Sequence, residues 1–506
     1  MFSTALDYVC GLAMNQRRPP RAQAITLAVC MSLGGFLLCS PIDWAAIYSA
    51  LLPREAFSGG WADPIREISI FRPEGSWFEC IVALTSVVIE CVIFFIGYRL
   101  TAKTQRTYFL AVSVITQLSL LGFFKYYDFF ISGAEQLLVG MGLSEHHWQL
   151  GIIVPVGISF YTFHTMSYTI DVYRGKLEAT DNLIDFALFV AFFPQMVAGP
   201  IARGTELLPQ FQKFRQFDWA VAQSATYLIG WGIFKKIFIA DNLSSLVNSA
   251  YAAGSEPTGP QILFATYAFA FQIYCDFSAY SDIARGVSRW MGIELMLNFN
   301  VPYIAKNPQE FWRRWHISLS TWLRDYLYVP LGGNRGSQFA FYRNLMITMI
   351  LGGIWHGARA NFLWWGIYQG GLLCIHRAAK PVLDAMTPTR GWSRKLWNII
   401  TWIVFFHLVC YGWLLFRAES NAQIISLSKS LWTGWNYVGA SSGMLVRLIW
   451  FCWPLWCIQY FQIKSRNLLA PLCWPWPIRA ASYCILFYLV ILFGAFHVVE
   501  FIYFQF

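Results

Sequence analysis

The chain runs from end to end as apolar blocks about as long as a bilayer is thick, separated by short polar joints. The blocks at 22–39 and 107–124, like the others below, carry no Asp, Glu, Lys or Arg, and the block at 80–98 is interrupted only by Glu90. Others lie at 148–170, 186–202, 219–234, 257–275, 344–358, 361–375, 397–416, 448–463 and 480–499. A hydrocarbon core takes about 20 apolar residues per helical span, which gives about ten to twelve crossings, some re-entrant or broken. The blocks do not alternate apolar and polar positions as barrel strands do. Helices are then the way to satisfy their backbone in lipid. The pattern predicts an all-α integral membrane protein, a single multispanning helical bundle.

Composition strengthens that reading. Of 506 residues, 57% are hydrophobic and 13% charged, against about 25% charged in soluble domains. Length alone suggests about three soluble domains of ~150 residues, but no long polar linker divides the chain. Arg17, Arg18 and Arg21 precede the first block, and Arg99, Lys103 and Arg106 follow the block at 80–98. Basic residues gather in cytoplasmic loops, so both clusters read as cytoplasmic. Residues 40–79 hold six acids (Asp43, Glu55, Asp63, Glu67, Glu74, Glu79) against three arginines. They read as outward-facing, as does Glu145-His146-His147. The net charge of +10 is this asymmetry summed over many loops, with attraction to anionic membrane lipid; it does not argue for nucleic acid. The twelve cysteines form no Cys-x-x-Cys pair and read as small core residues. Asp7 breaks the first fourteen residues, so no cleavable signal peptide is expected.

Candidate chemistry lies in two short segments. Phe311-Trp312-Arg313-Arg314-Trp315-His316-Ile317-Ser318 is followed by Gly352-Gly353-Ile354-Trp355-His356-Gly357. At helical spacing Trp312, Trp315, His316, Leu319, Trp322, Leu323 and Tyr326 share one face, opposite Arg313, Arg314, Thr321, Arg324 and Asp325. That predicts an interfacial amphipathic helix with His316 on its buried side. A core histidine bonded to a carbonyl fits the same spacing equally well. Around His356 the glycines allow close approach of backbone or ligand, and Trp355 could wall a narrow cavity. Desolvation would keep an imidazole there neutral, suited to accept a proton. Ionisable groups at membrane depth are costly and commonly functional. His407 and His497 read as packing residues with one hydrogen bond each, and His164 stays open. No third ligand accompanies His316 and His356, so no metal is expected.

Around these residues the chain resembles the membrane-bound O-acyltransferases, in the bacterial branch that contains the alginate O-acetyltransferases. The segments that carry the resemblance are 311–326 with Leu331-Gly332-Gly333-Asn334-Arg335, and 353–357. Leu121-Gly122-Phe123-Phe124-Lys125-Tyr126-Tyr127-Asp128, the runs at 155–163 and 193–201, Tyr274-Cys275-Asp276-Phe277-Ser278-Ala279-Tyr280-Ser281-Asp282 and the terminal 501–506 are also similar. They run in order from about residue 118 to the end. The teichoic acid D-alanyl transfer proteins are a more distant likeness. The resemblance implies a membrane acyltransferase core at 118–506, with tilted or re-entrant helices around a central channel. It implies His356 as the catalytic histidine and His316 as its partner. It also implies an acyl thioester donor (acetyl-CoA or an acyl carrier) reaching the site from the cytoplasm, no bound cofactor, and a periplasmic acetyltransferase or acyl-accepting protein as partner. Localisation would be the bacterial cytoplasmic (inner) membrane. Asp276, Arg314, Trp315, Asn334 and Trp355 are candidates for shaping the tunnel or binding the donor, with a structural role the simpler reading for each.

Residues 1–117 depart from the pattern. Asp7-Tyr8-Val9-Cys10-Gly11-Leu12 resembles the stretch that usually lies just upstream of 121–128, yet about a hundred residues intervene. The region reads as divergent N-terminal helices with an inserted loop at 40–79. O-acetylation of an extracytoplasmic polysaccharide is the expected function, against peptidoglycan O-acetylation or D-alanyl transfer to teichoic acid. The rival of another class is a polysaccharide or lipid transporter with a midplane histidine relay, which predicts matching broken halves; none is found.

Overall fold

A computed structural model describes residues 2–20, 77–142, 148–152, 154–435, 439–496 and 500–502, with six positions between 23 and 30. Most of the block at 22–39, the expected outward loop as far as residue 76, His146, His147, His497 and residues 503–506 lie outside the described residues. Every regular element among the described residues is helical, as the apolar pattern requires.

Five of these helices are long and apolar enough to cross a membrane: Ala102–Gly140, Gly259–Trp290, Gly391–Arg417, Ser441–Ser465 and Trp476–Phe493. That is fewer than the expected ten to twelve, and the backbone explains part of the difference. The block at 186–202 is no single helix. Its first helix ends at Ala191, Phe192 is extended, and only the short turn Phe193–Met196 follows. Pro194 and Pro200 remove two donors from the run. The block at 148–170 becomes helical only at Ile158, after Pro155 and a left-handed Gly157 (φ 79°).

The chain divides into two compact units, Met1–Phe192 with Arg203–Gln212, and Phe193–Ala202 with Lys213–Phe506. The first contains α1 (Phe2–Met14), α2 (Trp77–Arg99), α3 (Ala102–Gly140), α4 (Ile158–Tyr173), α5 (Leu183–Ala191) and α6 (Gly204–Phe211). Asp7, the residue that interrupts the first apolar stretch, is the polar centre of α1. Its carboxylate accepts hydrogen bonds from Ser113 Oγ (2.6 Å) and Gln117 Nε2 (2.5 Å) on α3. A buried carboxylate needs such partners, and here they pin α1 to α3.

The second unit holds α7 (Trp219–Phe234), a π-helical turn at Lys235–Ala240, α8 (Asp241–Tyr251), α9 (Gly259–Trp290), α10 (Pro308–Trp312), α11 (Ile317–Leu323) and a second π turn at Arg324–Tyr328. It continues with α12 (Gln338–His356), α13 (Ala360–Met386), α14 (Gly391–Arg417), α15 (Asn421–Thr433), α16 (Gly439–Ser465) and α17 (Trp476–Phe493). The central α9 starts on a capping box in which Thr258 and Gln261 satisfy each other's backbone N–H. At 1.5 Å per residue it is about 48 Å long, and its apolar window is mostly buried.

Small residues set two helix crossings. A Cβ on Gly286 of α9 would lie 2.7 Å from the Ala225 carbonyl oxygen of α7. On Gly353 of α12 it would lie 2.4 Å from the Phe362 carbonyl oxygen and 2.9 Å from Gly366 Cα, both on α13. Glycine at such crossings lets the backbones touch. Because the obstacle is backbone, Gly353→Val is expected to lower stability by roughly 1–3 kcal/mol or more. Thermal denaturation of detergent-solubilised protein measures this, and an unchanged melting temperature would contradict the packing.

Candidate active site

The first histidine sits at a break. After α10, whose N-cap Asn307 accepts the Glu310 N–H at 2.9 Å, the chain leaves helical geometry, and His316 is left-handed (φ 42°, ψ 54°) before α11 begins. The expected continuous helix through 312–326 is therefore corrected to two short helices and a π turn. The cause is a backbone clamp. Asn300 N–H donates to Arg314 O and Ile317 N–H donates to Asn298 O, each at 2.9 Å, so the non-helical segment 298–300 takes donors and acceptors that a continuous helix would use. A left-handed residue with a Cβ costs roughly 1–2 kcal/mol, and such conformations cluster at functional sites. Most of the expected burial pattern survives the break. Trp315, His316, Leu319, Trp322, Leu323 and Tyr326 are buried and Arg313 and Arg324 exposed, while Trp312, Arg314, Thr321 and Asp325 are half-buried.

His316 is 1% exposed. Its Nδ1 lies 3.1 Å from Asn298 Oδ1, whereas its buried Nε2 has no hydrogen-bond partner among the described residues. Phe277 meets the ring edge-on at 4.6 Å. Burial pushes the His316 pKa down, to about 3, so the imidazole is neutral.

His356 ends α12, and the glycines near it do what close approach requires. A Cβ on Gly357 would lie 2.2 Å from the Phe362 ring. The imidazole is enclosed by Trp355, Trp365 and Phe416, with ring centroids at 5.1, 5.1 and 5.2 Å. Trp355 also meets His316, at 6.4 Å. The two histidines are thus joined through one indole, on elements separated by forty residues of sequence. Behind His316, Trp315 packs on Phe311 (5.6 Å), Phe299 (5.0 Å) and Trp413 (4.7 Å).

The remaining candidates fall elsewhere. Asp276 is buried on α9, where its carboxylate pairs with Lys236 at 3.0 Å and accepts the Ile502 N–H at 2.8 Å. Arg314 pairs with Glu310 (3.0 Å), donates to Asn300 O (3.2 Å), and lines a polar cavity of about 490 Å³ with Asn300, Asn307, Gln309, Glu310 and Arg313. Asn334 is exposed on a separate cavity of about 600 Å³ bordered by Arg377, Lys380 and Asp384. His407 bonds twice rather than once, Nδ1–H donating to Ile403 O (2.8 Å) and Nε2 accepting from Tyr267 (2.6 Å). His164 is fully buried, and neither ring nitrogen bonds to any of the described residues. Among the described residues no group of three or more His, Cys, Asp or Glu gathers to hold a metal.

The model of the membrane-bound O-acyltransferase family matches residues 81–416, a span that contains both histidines. The chain belongs to this family. It is 43% identical over 353 residues to the probable alginate O-acetylase of Pseudomonas aeruginosa, covering 69% of this chain and 65% of that protein. To the peptidoglycan O-acetyltransferase of Helicobacter pylori it is 33% identical over 367 residues, 67% of this chain and 68% of the relative. The teichoic acid D-alanyltransferase of Bacillus subtilis matches at 29% over 299 residues, 54% of this chain and 71% of that protein. The chain spans 62–65% of the length of the first alginate O-acetylases it matches.

Sequence reasoning missed Asn298 and the lysine pair at the first π turn. Asn298 lies 18 residues before His316, a separation that belongs to no local periodicity. Lys235 and Lys236 stand at the end of an apolar block and read as its boundary. The structure buries Lys235 almost fully against Asp282 (2.8 Å) and Ser278 (2.7 Å).

Proposed function

We propose that the chain is a membrane O-acyltransferase that moves an acetyl group from a cytoplasmic thioester toward a polysaccharide outside the cytoplasmic membrane. The likeness to the probable alginate O-acetylase of Pseudomonas aeruginosa over 69% of this chain, with two buried histidines meeting one tryptophan, supports this reading. In the reaction His356 takes the proton of the acceptor hydroxyl as its oxygen attacks the acyl carbon. The tetrahedral oxyanion then collapses, the C–S bond breaks, and the leaving thiolate receives that proton. Base catalysis of this kind contributes on the order of 10²–10⁴-fold. His356 suits the role because it ends α12, where the helix dipole favours the positive charge that forms. His316 serves as its partner. Arg314 and its polar cavity offer a place for an anionic part of the donor, and Trp315 and Trp355 wall the path.

The acetyl group reaches the polymer directly or through a periplasmic acetyltransferase. Peptidoglycan is the second acceptor to weigh, because the peptidoglycan O-acetyltransferase of Helicobacter pylori matches over a similar share of this chain. Deleting the gene and restoring it in the source cell tests both, by alkaline release of acetate from purified exopolysaccharide and from peptidoglycan. Acetate lost from exopolysaccharide on deletion is the expected result. Loss from peptidoglycan alone selects the second reading, and unchanged acetate in both polymers would sink the proposal.

A further inference from the structure

The acyl-transfer reading leaves open which way His316 works, and the bonds around it decide this. Asn298 is fully buried in the non-helical segment after α9. Its Oδ1 accepts from Ser318 Oγ (2.9 Å) and from the Ser318 backbone N–H (3.3 Å), and its Nδ2 donates to Ser281 Oγ (3.1 Å). A backbone N–H can only donate, so the atom facing Ser318 is the amide oxygen and the amide is not reversed. That same oxygen lies 3.1 Å from His316 Nδ1. A bare Nδ1 there would set two lone pairs against each other, so Nδ1 carries the proton and donates it. Ser318 Oγ is also 3.5 Å from Nδ1, but its hydrogen already goes to the shorter contact with Asn298. In neutral imidazole one protonated nitrogen leaves the other bare, and the bare one is the buried Nε2, which has no partner among the described residues.

We propose that Asn298 is a positioning residue that holds His316 as its Nδ1–H tautomer, so that Nε2 is presented as an acceptor. The inference rests on the acyl-transfer reading for its purpose. Within it, His316 receives a hydrogen bond from a protic group of the reactants, the acceptor hydroxyl or the released thiol. It does not donate to the carbonyl oxygen, which needs other donors. A base oriented by a third group is a recurring arrangement in catalytic sites.

The test is ¹⁵N NMR of histidine-labelled full-length protein in lipid nanodiscs, with the His316 signals assigned by their loss in His316→Gln. Wild type is expected to show a protonated Nδ1 and a bare Nε2. Asn298→Leu is expected to lose that single tautomer and to lower polymer-linked acetate at least tenfold at matched protein level. Asn298→Asp keeps an acceptor for Nδ1–H, and the Ser281 hydroxyl can turn to donate to it, so tautomer and acetate should both recover. Ser318→Ala should leave the tautomer unchanged. A wild-type spectrum with the proton on Nε2 overturns the proposal even if Asn298→Leu fails to fold. A tautomer lost in Ser318→Ala overturns it too, as does an Asn298→Leu spectrum like wild type. Should wild type place acetate on no polymer, the purpose falls with the acyl-transfer reading, while the spectra still judge the tautomer.

Discussion

His356→Ala is expected to abolish polymer-linked acetylation while membrane levels of the protein stay unchanged. Losing a general base costs about 10²–10⁴ in rate, or roughly 3–5 kcal/mol of barrier at 1.36 kcal/mol per tenfold. The same substitution removes one imidazole from a pocket of Trp355, Trp365 and Phe416, within the ~0.5–3 kcal/mol range of ordinary point mutations. Chemistry should therefore fail before folding does. His356→Gln, which fills more of the pocket and supplies no base, separates the two effects. It should be as inactive as alanine and closer to wild type in thermal stability. Measurable wild-type ester content in either variant, with protein levels matched, would remove His356 from the catalytic role.

The second large effect is on folding and lies at the first π turn. Lys235 is 2% exposed, and its ammonium group is held by Asp282 at 2.8 Å and Ser278 at 2.7 Å. Asp282 has a further cation nearby, Arg285 at 3.7 Å. The two partners are therefore unequal. Asp282→Leu strands a buried ammonium with one hydroxyl, and breaking a buried pair in that way costs about 3–5 kcal/mol. Lys235→Met leaves Asp282 beside Arg285 and should cost less. The double substitution removes both charges and should recover much of the loss, since apolar replacement of a whole buried pair is often neutral. Fluorescence-detected size-exclusion after a heat ramp reads all three. Equal damage from the two single variants, or a double variant no better than Asp282→Leu, would refute the asymmetry.

Most of the fold class was legible because bilayer-length apolar blocks state their own environment. The helix boundaries were not, for reasons that particular residues make plain. Pro155, Gly157, Pro194 and Pro200 were visible in the sequence, yet hydropathy averages over them. His316 shows a subtler limit. Its burial followed from helical spacing, because Trp315, His316, Leu319 and Trp322 still turn inward across the break. The break itself depends on Asn298 and Asn300, whose backbone bonds to Ile317 and Arg314 exist only once the chain has folded back. The glycines by His356 carried a clearer signal, since close approach was the one reason to place Gly353 and Gly357 beside a functional side chain. For the partner that orients His316 there was no such pattern to read. A buried asparagine in an aromatic stretch resembles any other polar residue until its neighbours are known.

One feature of α9 bears on how this chain can change over time. Within seven residues the helix carries Asp276, which grips Lys236 and Ile502, Phe277, which wedges His316, and Ser281 and Asp282, which hold Asn298 and Lys235. Each is a separate attachment, so point substitutions along α9 disturb them singly. A one-residue insertion or deletion before Asp276 would turn all of them together by about 100° relative to the start of the helix. The length of α9 is therefore far less free to drift than its composition. Gain or loss of residues should be confined to the joints outside it.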